Sequence, residues 1–130
     1  MKKNVTVLIV MDEAESVQKI ALEIESFLDG NKVLRRSAAG LSPTDLLTAD
    51  VCFFGCEKPK PPSFAELEHL LLHINLARRS CGLFTSGQKN AADYLKKMVG
   101  DSELDVSLGP YVAGQSQDLK KWTMTVLNGK

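Results

Sequence analysis

The chain has 130 residues, 44 % apolar and 25 % charged, which suits one domain, residues 1–130, with a core of its own. Lys plus Arg number 16 and so do Asp plus Glu, so no broad field draws the protein to nucleic acid or an anionic membrane. Three cysteines, two of them inside apolar runs, read as small buried thiols in a reducing, cytoplasmic compartment.

Val5 to Val10 is an almost continuous β-branched run, as expected for a parallel strand covered on both faces. It is too short for a secretory segment, and no stretch of the chain reaches the length of a membrane span. Val17, Ile20, Ala21, Ile24, Phe27 and Leu28 then recur at helical spacing, which places a helix near residues 13–29. Asp12 with Glu15 makes a capping box for it, and Gly30 supplies a left-handed stop. Residues 32–37 form a short strand whose Arg35 and Arg36 suit a sheet edge. Ser42 and Pro43 open a helix of about two turns. Val51 to Phe54 is a buried strand, and residues 55–63 are an irregular loop.

Ser63 and Glu66 fit a capping box for a helix over 64–78, with Leu67, Leu70, Leu71, Ile74 and Ala77 as its buried stripe. Cys81 to Thr85 is the fourth strand, residues 86–89 a loop, and 90–99 an amphipathic helix stopped by Gly100. Leu104 to Leu108 alternates apolar with polar, Asp105 and Ser107 forming its polar side. Gly109 and Pro110 break or bulge this strand before Tyr111 to Ala113. A last helix begins near Ser116, runs to 127, and turns Leu119, Trp122, Thr123, Val126 and Leu127 inward.

Strand and helix alternate five times. Right-handed crossovers then give an α/β three-layer sandwich around a five-stranded parallel sheet, order 2-1-3-4-5. Ligands of such sheets bind at the carboxyl ends of the strands, near the switch between strands one and three. The candidate binding residues are therefore Asp12, Glu13, Glu15 and Ser16 after strand one; Gly55, Cys56, Glu57 and Lys58 after strand three; and Thr85, Ser86, Gly87 and Gln88 after strand four.

Two families share this layout. Val7 to Glu13 is similar to the opening of response-regulator receiver domains, which carry acidic residues after strand one and a phosphoacceptor aspartate at the end of strand three. Gly55 stands at that acceptor place, and residues 108–114 hold no lysine after strand five, so an active receiver is excluded. The chain resembles the flavodoxin family over nearly its whole length. The resemblance rests on Asp50, the apolar run Val51 to Phe54, Gly55 and Pro59; on Phe84 to Gly87; and on Gly109 to Gly114 with Trp122. It implies FMN as cofactor and electron transfer as activity. In flavodoxins the first loop is rich in Ser, Thr and Gly, whose hydroxyls and amides wrap the flavin phosphate at a helix N-terminus. Here residues 11–16 contain neither Gly nor Thr, and Asp12, Glu13 and Glu15 bring three carboxylates to the positive end of the helix. The loops at 55–63 and 85–90 offer no aromatic ring to cover a flavin. The expectation is a binding or regulatory module without the standard FMN site, meeting a protein partner or small ligand at the strand ends. The alternative is an electron-transfer flavoprotein that holds FMN in an atypical way.

Other candidate chemistry has a plain structural explanation. Asp12, Glu13 and Glu15 could hold a divalent cation, but a helix cap accounts for them. His69 and His73, four apart with Glu66 nearby, could hold zinc, yet the zinc-protease motif is missing and surface histidines beside a leucine stripe explain the pair. Cys56 lies close to Lys58 and Lys60, which could lower a thiol pKa, but no histidine is placed to assist it. Lys58 to Pro62 is a basic, stiff segment that suits either a recognition loop or a rigid lead into the next helix.

Overall fold

A computed structural model of the chain describes residues 5–100, 102–106, 108–115 and 117–128. Its elements are β1 (Thr6–Met11), α1 (Glu15–Ser26), β2 (Lys32–Ser37), α2 (Pro43–Thr48), β3 (Val51–Cys56), α3 (Ala65–His73), β4 (Ser80–Thr85), α4 (Lys89–Val99), β5 (Tyr111–Val112) and α5 (Leu119–Leu127). The strands form one parallel sheet in the order β2-β1-β3-β4-β5, as the alternating pattern requires. Among the described residues, no helix is long and apolar enough to cross a membrane.

The two faces of the sheet are sorted by strand periodicity. Val7, Ile9, Val51 and Phe53 point toward α1 and α5, where Val17, Ile20, Ile24, Trp122 and Val126 meet them. Leu8, Val10, Cys52, Phe54 and Cys56 point the other way, against Leu46, Leu67, Leu71, Leu95 and Val99 of α2, α3 and α4. β1 and β3 carry apolar residues on both faces because both are covered. β2 is the outer strand, and its arginines pair outward, Arg35 with Glu25 and Arg36 with Asp45 at 3.2 Å. Trp122 is 7 % exposed, stacks in tilted geometry on Phe53 and Tyr111, and donates its indole N–H to the Gly109 carbonyl at 3.0 Å.

Several expected boundaries move. α1 is shorter than 13–29 because the Asp12 carboxylate is engaged elsewhere, so the helix opens at Glu15 with no side-chain cap. Its end also comes early, at Ser26 with Phe27 as the C-cap, so Gly30, at φ +87°, turns the chain toward β2 beyond the helix and does not itself stop it. The capping box of Ser63 and Glu66 does not form; a 3-10 turn at Pro62–Phe64 leads into α3 instead. α3 stops at His73 rather than 78, since Ile74 is extended and the Asn75 side chain accepts the Ala77 N–H at 3.0 Å. Ser42 does cap α2 by accepting the Thr44 N–H, with Pro43 in the first turn. At the other end of α2, Arg79 donates to the carbonyls of Leu46, Leu47 and Ala49.

The fifth strand is interrupted. Asp105 bridges Ser80, then pairing resumes only at Tyr111 opposite Phe84, so four steps along β4 face six along its neighbour. The extra length is taken up around Gly109 and Pro110, where proline has no N–H to give to a ladder. The expected alternation at Ser107 and the helix start at Ser116 lie outside the described residues. α5 opens at Leu119, with the Asp118 side chain accepting the Lys121 N–H at 3.1 Å.

Candidate functional site

The loops after β1 and β3 lie side by side because their strands are neighbours, and Asp12 joins them. Its backbone N–H donates to the Gly55 carbonyl at 3.3 Å. One carboxylate oxygen, Oδ1, accepts the Ala14 N–H at 3.1 Å, and the other, Oδ2, accepts the Glu57 N–H at 3.0 Å. Asp12 is only 7 % exposed, so this buried charge is held by backbone donors from both loops. It serves as a stitch between loops, not as the helix cap expected from its place in the sequence.

Glu57 completes the crossing. Ser16, in the first turn of α1, donates its hydroxyl to Glu57 Oε2 at 3.2 Å. A carboxylate from the β3 side thus sits at the positive end of α1, where an acceptor with negative charge is favoured. Glu13, in the loop, and Glu15, the first residue of α1, are both exposed. Beside them lies a hollow of about 400 Å³, lined by Asp12, Glu13, Ala14, Pro61, Pro62 and Ser63. Its walls are carboxylate and proline. Such a surface suits a partner that brings N–H donors or positive charge.

The remaining candidate residues divide. Lys58 is exposed and does not line the hollow. Gly55 is not a ligand platform, because a Cβ there would stand 2.2 Å from the Phe84 ring; the missing side chain is what lets Phe84 pack. Cys56 is the last residue of β3, not a loop cysteine, and is fully buried. Burial pushes its thiol up to about 12, and the Asp12 carboxylate adds to the effect, so Lys58 and Lys60 do not activate it. Thr85 is also fully buried at the end of β4, and its hydroxyl has no hydrogen-bond partner among the described residues. Ser86 and Gln88 are half-buried, and Gly87 is exposed. No hydrogen bond among the described residues ties residues 86–88 to the two stitched loops. The structure therefore brings Asp12, Glu13, Ser16 and Glu57 into one neighbourhood and leaves Gly55, Cys56 and Thr85 in the core.

These residues do not fit the flavin phosphate. Ser16, the conventional phosphate ligand of the first loop, already donates to Glu57, and Glu13 and Glu15 add exposed negative charge. Phe64, the first aromatic after the β3 loop, is fully buried against the α2–α4 side of the core and tilts against Tyr94. His69 and His73 have ring centroids 4.5 Å apart on exposed positions of α3. Among the described residues, no group of three or more His, Cys, Asp or Glu comes together to hold a metal.

Sequence reasoning included Glu57 only as one of four residues after strand three and missed its link to Ser16. A weak signal existed. Glu57 immediately follows a buried strand that must lie beside the strand leading to Ser16, so its side chain leaves the sheet next to the start of α1. Pro61 and Pro62, read from sequence as part of a segment suited to a recognition loop or to a rigid lead into the next helix, line the hollow.

No protein-family model matches the sequence, and no curated protein matches it. Solved structures do match. A flavodoxin from Streptococcus pneumonia superposes with a TM-score of 0.77 at 14 % identity, over 96 % of this chain and 99 % of that one. Flavodoxin 2 from Bacillus cereus gives 0.76 at 17 % identity, over 95 % and 97 %. Rubredoxin oxygen:oxidoreductase from Desulfovibrio gigas gives 0.74 at 15 % identity, with 97 % of this chain matching 36 % of that larger one. The chain has the flavodoxin-like fold.

Proposed function

We propose that residues 1–130 act as one flavodoxin-like domain, a binding or regulatory module whose phosphate-type loop is closed from within. The observation that carries this reading is the Ser16 hydroxyl donated to the Glu57 carboxylate at the start of α1. The fold supplies a helix N-terminus at the strand ends, and such a place attracts anions. Here an internal anion meets it. The functional face is the surface made by Asp12 to Ser16 and Glu57 to Ser63, together with Ser86 to Gln88. Its carboxylates favour a protein segment or small ligand that brings positive charge or N–H donors.

A second reading draws on the flavodoxins among the solved neighbours. In it, FMN binds atypically with its phosphate turned toward Lys58 or Lys60. Both lysines are exposed, and among the described residues neither is in an ion pair. Absorbance of the purified protein from the near-ultraviolet to the blue, followed by FMN titration with flavin fluorescence, separates the two. The leading reading expects no bound flavin and weak association. Submicromolar affinity overturns it in favour of the second.

A further inference from the structure

On the side of the sheet covered by α3 and α4, a second hollow of about 400 Å³ is lined by Lys60, from the loop after β3, and by Glu68, Leu72, Tyr94, Lys97 and Met98. Leu72 is 64 % exposed, more than Leu22 or Leu47, the other large apolar side chains left open to water. Met98 and Tyr94 are half-buried beside it and extend the apolar surface. Methionine repacks readily against a partner, and tyrosine combines a large apolar face with a polar tip.

Lysines outnumber carboxylates three to two around this apolar surface. Lys60 enters from the proline-flanked loop after β3, and Lys97 from the last turn of α4. Among the described residues neither lysine is in an ion pair. Lys96 lines the adjoining hollow on α4, where Asp93 offsets part of that charge. Glu68, the one carboxylate lining the first hollow, accepts the Tyr94 hydroxyl and is thereby engaged inside the groove. Lys60 has φ +52°, between Pro59 and Pro61, and both prolines limit how the loop can move. The stiff backbone therefore fixes the root of the Lys60 side chain at the rim of the groove.

We propose that the groove between α3 and α4 docks an acidic, amphipathic helical segment of a partner protein. Apolar side chains of that segment cover Leu72, Met98 and the Tyr94 ring, and its carboxylates meet Lys60 and Lys97. This is the helix-in-groove mode of recognition, with charge at the rim setting orientation and partner choice. The face fits a second copy of this chain poorly. A two-fold interface centred here would bring the same lysines from both copies together. Lys60 also belongs to the strand-end loop of the proposed function, whereas Leu72 and Lys97 do not, so Leu72→Ser tests the groove separately from FMN binding.

The probe is a fluorescently labelled synthetic peptide of ~15 residues, long enough for helix to form on binding. It carries leucines at positions i, i+3, i+4 and i+7, with glutamates elsewhere. A control peptide replaces the glutamates with lysines. Fluorescence anisotropy with the full chain should show saturable binding of the acidic peptide only, weakened by added salt. Leu72→Ser should weaken it about tenfold or more, and the double variant Lys60→Glu, Lys97→Glu should do the same and abolish the salt dependence. All three positions are exposed, so the variants keep the fold. Equal binding of the control peptide, undiminished binding by the variants, or no saturable binding would each overturn the proposal. So would self-association that Leu72→Ser removes, which assigns the face to a second copy. Lysine-dependent sedimentation with phosphatidylserine vesicles would assign it to a membrane surface and overturn the proposal as well.

Discussion

Glu57 is the residue on which the closed-loop reading can be tested most directly. A phosphate placed at the start of α1 would lie ~5 Å from its carboxylate, a repulsion of roughly 3 kcal/mol per unit of phosphate charge at an effective dielectric near 20. Glu57 is half-buried, so solvent screens part of this, leaving on the order of 1–2 kcal/mol. Removing the charge should therefore tighten FMN about five- to thirtyfold for each unit of phosphate charge, from a weak baseline. Glu57→Gln removes the charge but keeps an acceptor for Ser16. Glu57→Ala also frees the Ser16 hydroxyl, so it should bind FMN more tightly than the Gln variant. The backbone N–H that Glu57 gives to Asp12 survives both changes, so the loops remain stitched. Replacing Asp12 would confound the test, because it would also strip two backbone donors of their acceptor. The assay is quenching of flavin fluorescence, with thermal melting as a check that each variant folds. If neither variant binds FMN more tightly than the parent, the electrostatic reasoning is refuted.

Trp122→Ala should lose on the order of 3–5 kcal/mol in a denaturant titration, since it removes a buried indole packed between Phe53 and Tyr111. Trp122→Phe should lose less, including about 1 kcal/mol for the hydrogen bond to Gly109. Burial raises the thiols of Cys52 and Cys56 to about 12, and raises that of Cys81 well above its ordinary value. Their folded values lie above the unfolded ones, so their stability contribution is intact below about pH 9 and falls as pH rises toward the folded values. Each thiol should cost about 1.4 kcal/mol per pH unit there, and Cys56→Ala should flatten the decline measured by chemical unfolding. Acetyl phosphate should leave the intact mass unchanged, because Gly55 holds the acceptor place and both Asp12 oxygens accept backbone amides; an aspartyl adduct seen by mass spectrometry contradicts this.

The fold was legible because its signals are carried by many residues at once. The run Val5 to Val10 and the stripe from Val17 to Ile24 each repeat one statement about burial, and a single misread position does not change it. Chain ends of helices depend on one or two hydrogen bonds, and there the reading slipped. Asp12 followed three residues later by Glu15 has the spacing of a capping box. The same carboxylate could instead accept donors from a loop distant in sequence, and the Glu57 amide, 45 residues away, won. β5 shows the same limit: Gly109 and Pro110 announced an irregularity, but its length was set by where Tyr111 finds Phe84.

At the candidate site the division is physical as well. Residue type indicated negative charge after strand one, and the structure places Glu13 and Glu15 on the surface there. Whether a residue after a strand faces solvent or core depends on where the strand ends, and one residue of register reverses the answer. Cys56 was read as the start of a loop, yet β3 runs one turn of the pleat further and carries it inward with Cys52 and Phe54. Thr85 follows from the same register, since it pairs with Cys56 across the sheet. Once β3 extends through Cys56, Glu57 is the first side chain free to leave the sheet, and it emerges beside Ser16. A shift of two residues in a strand end thus removes a thiol from the candidate site and leaves at its mouth the carboxylate that accepts from Ser16.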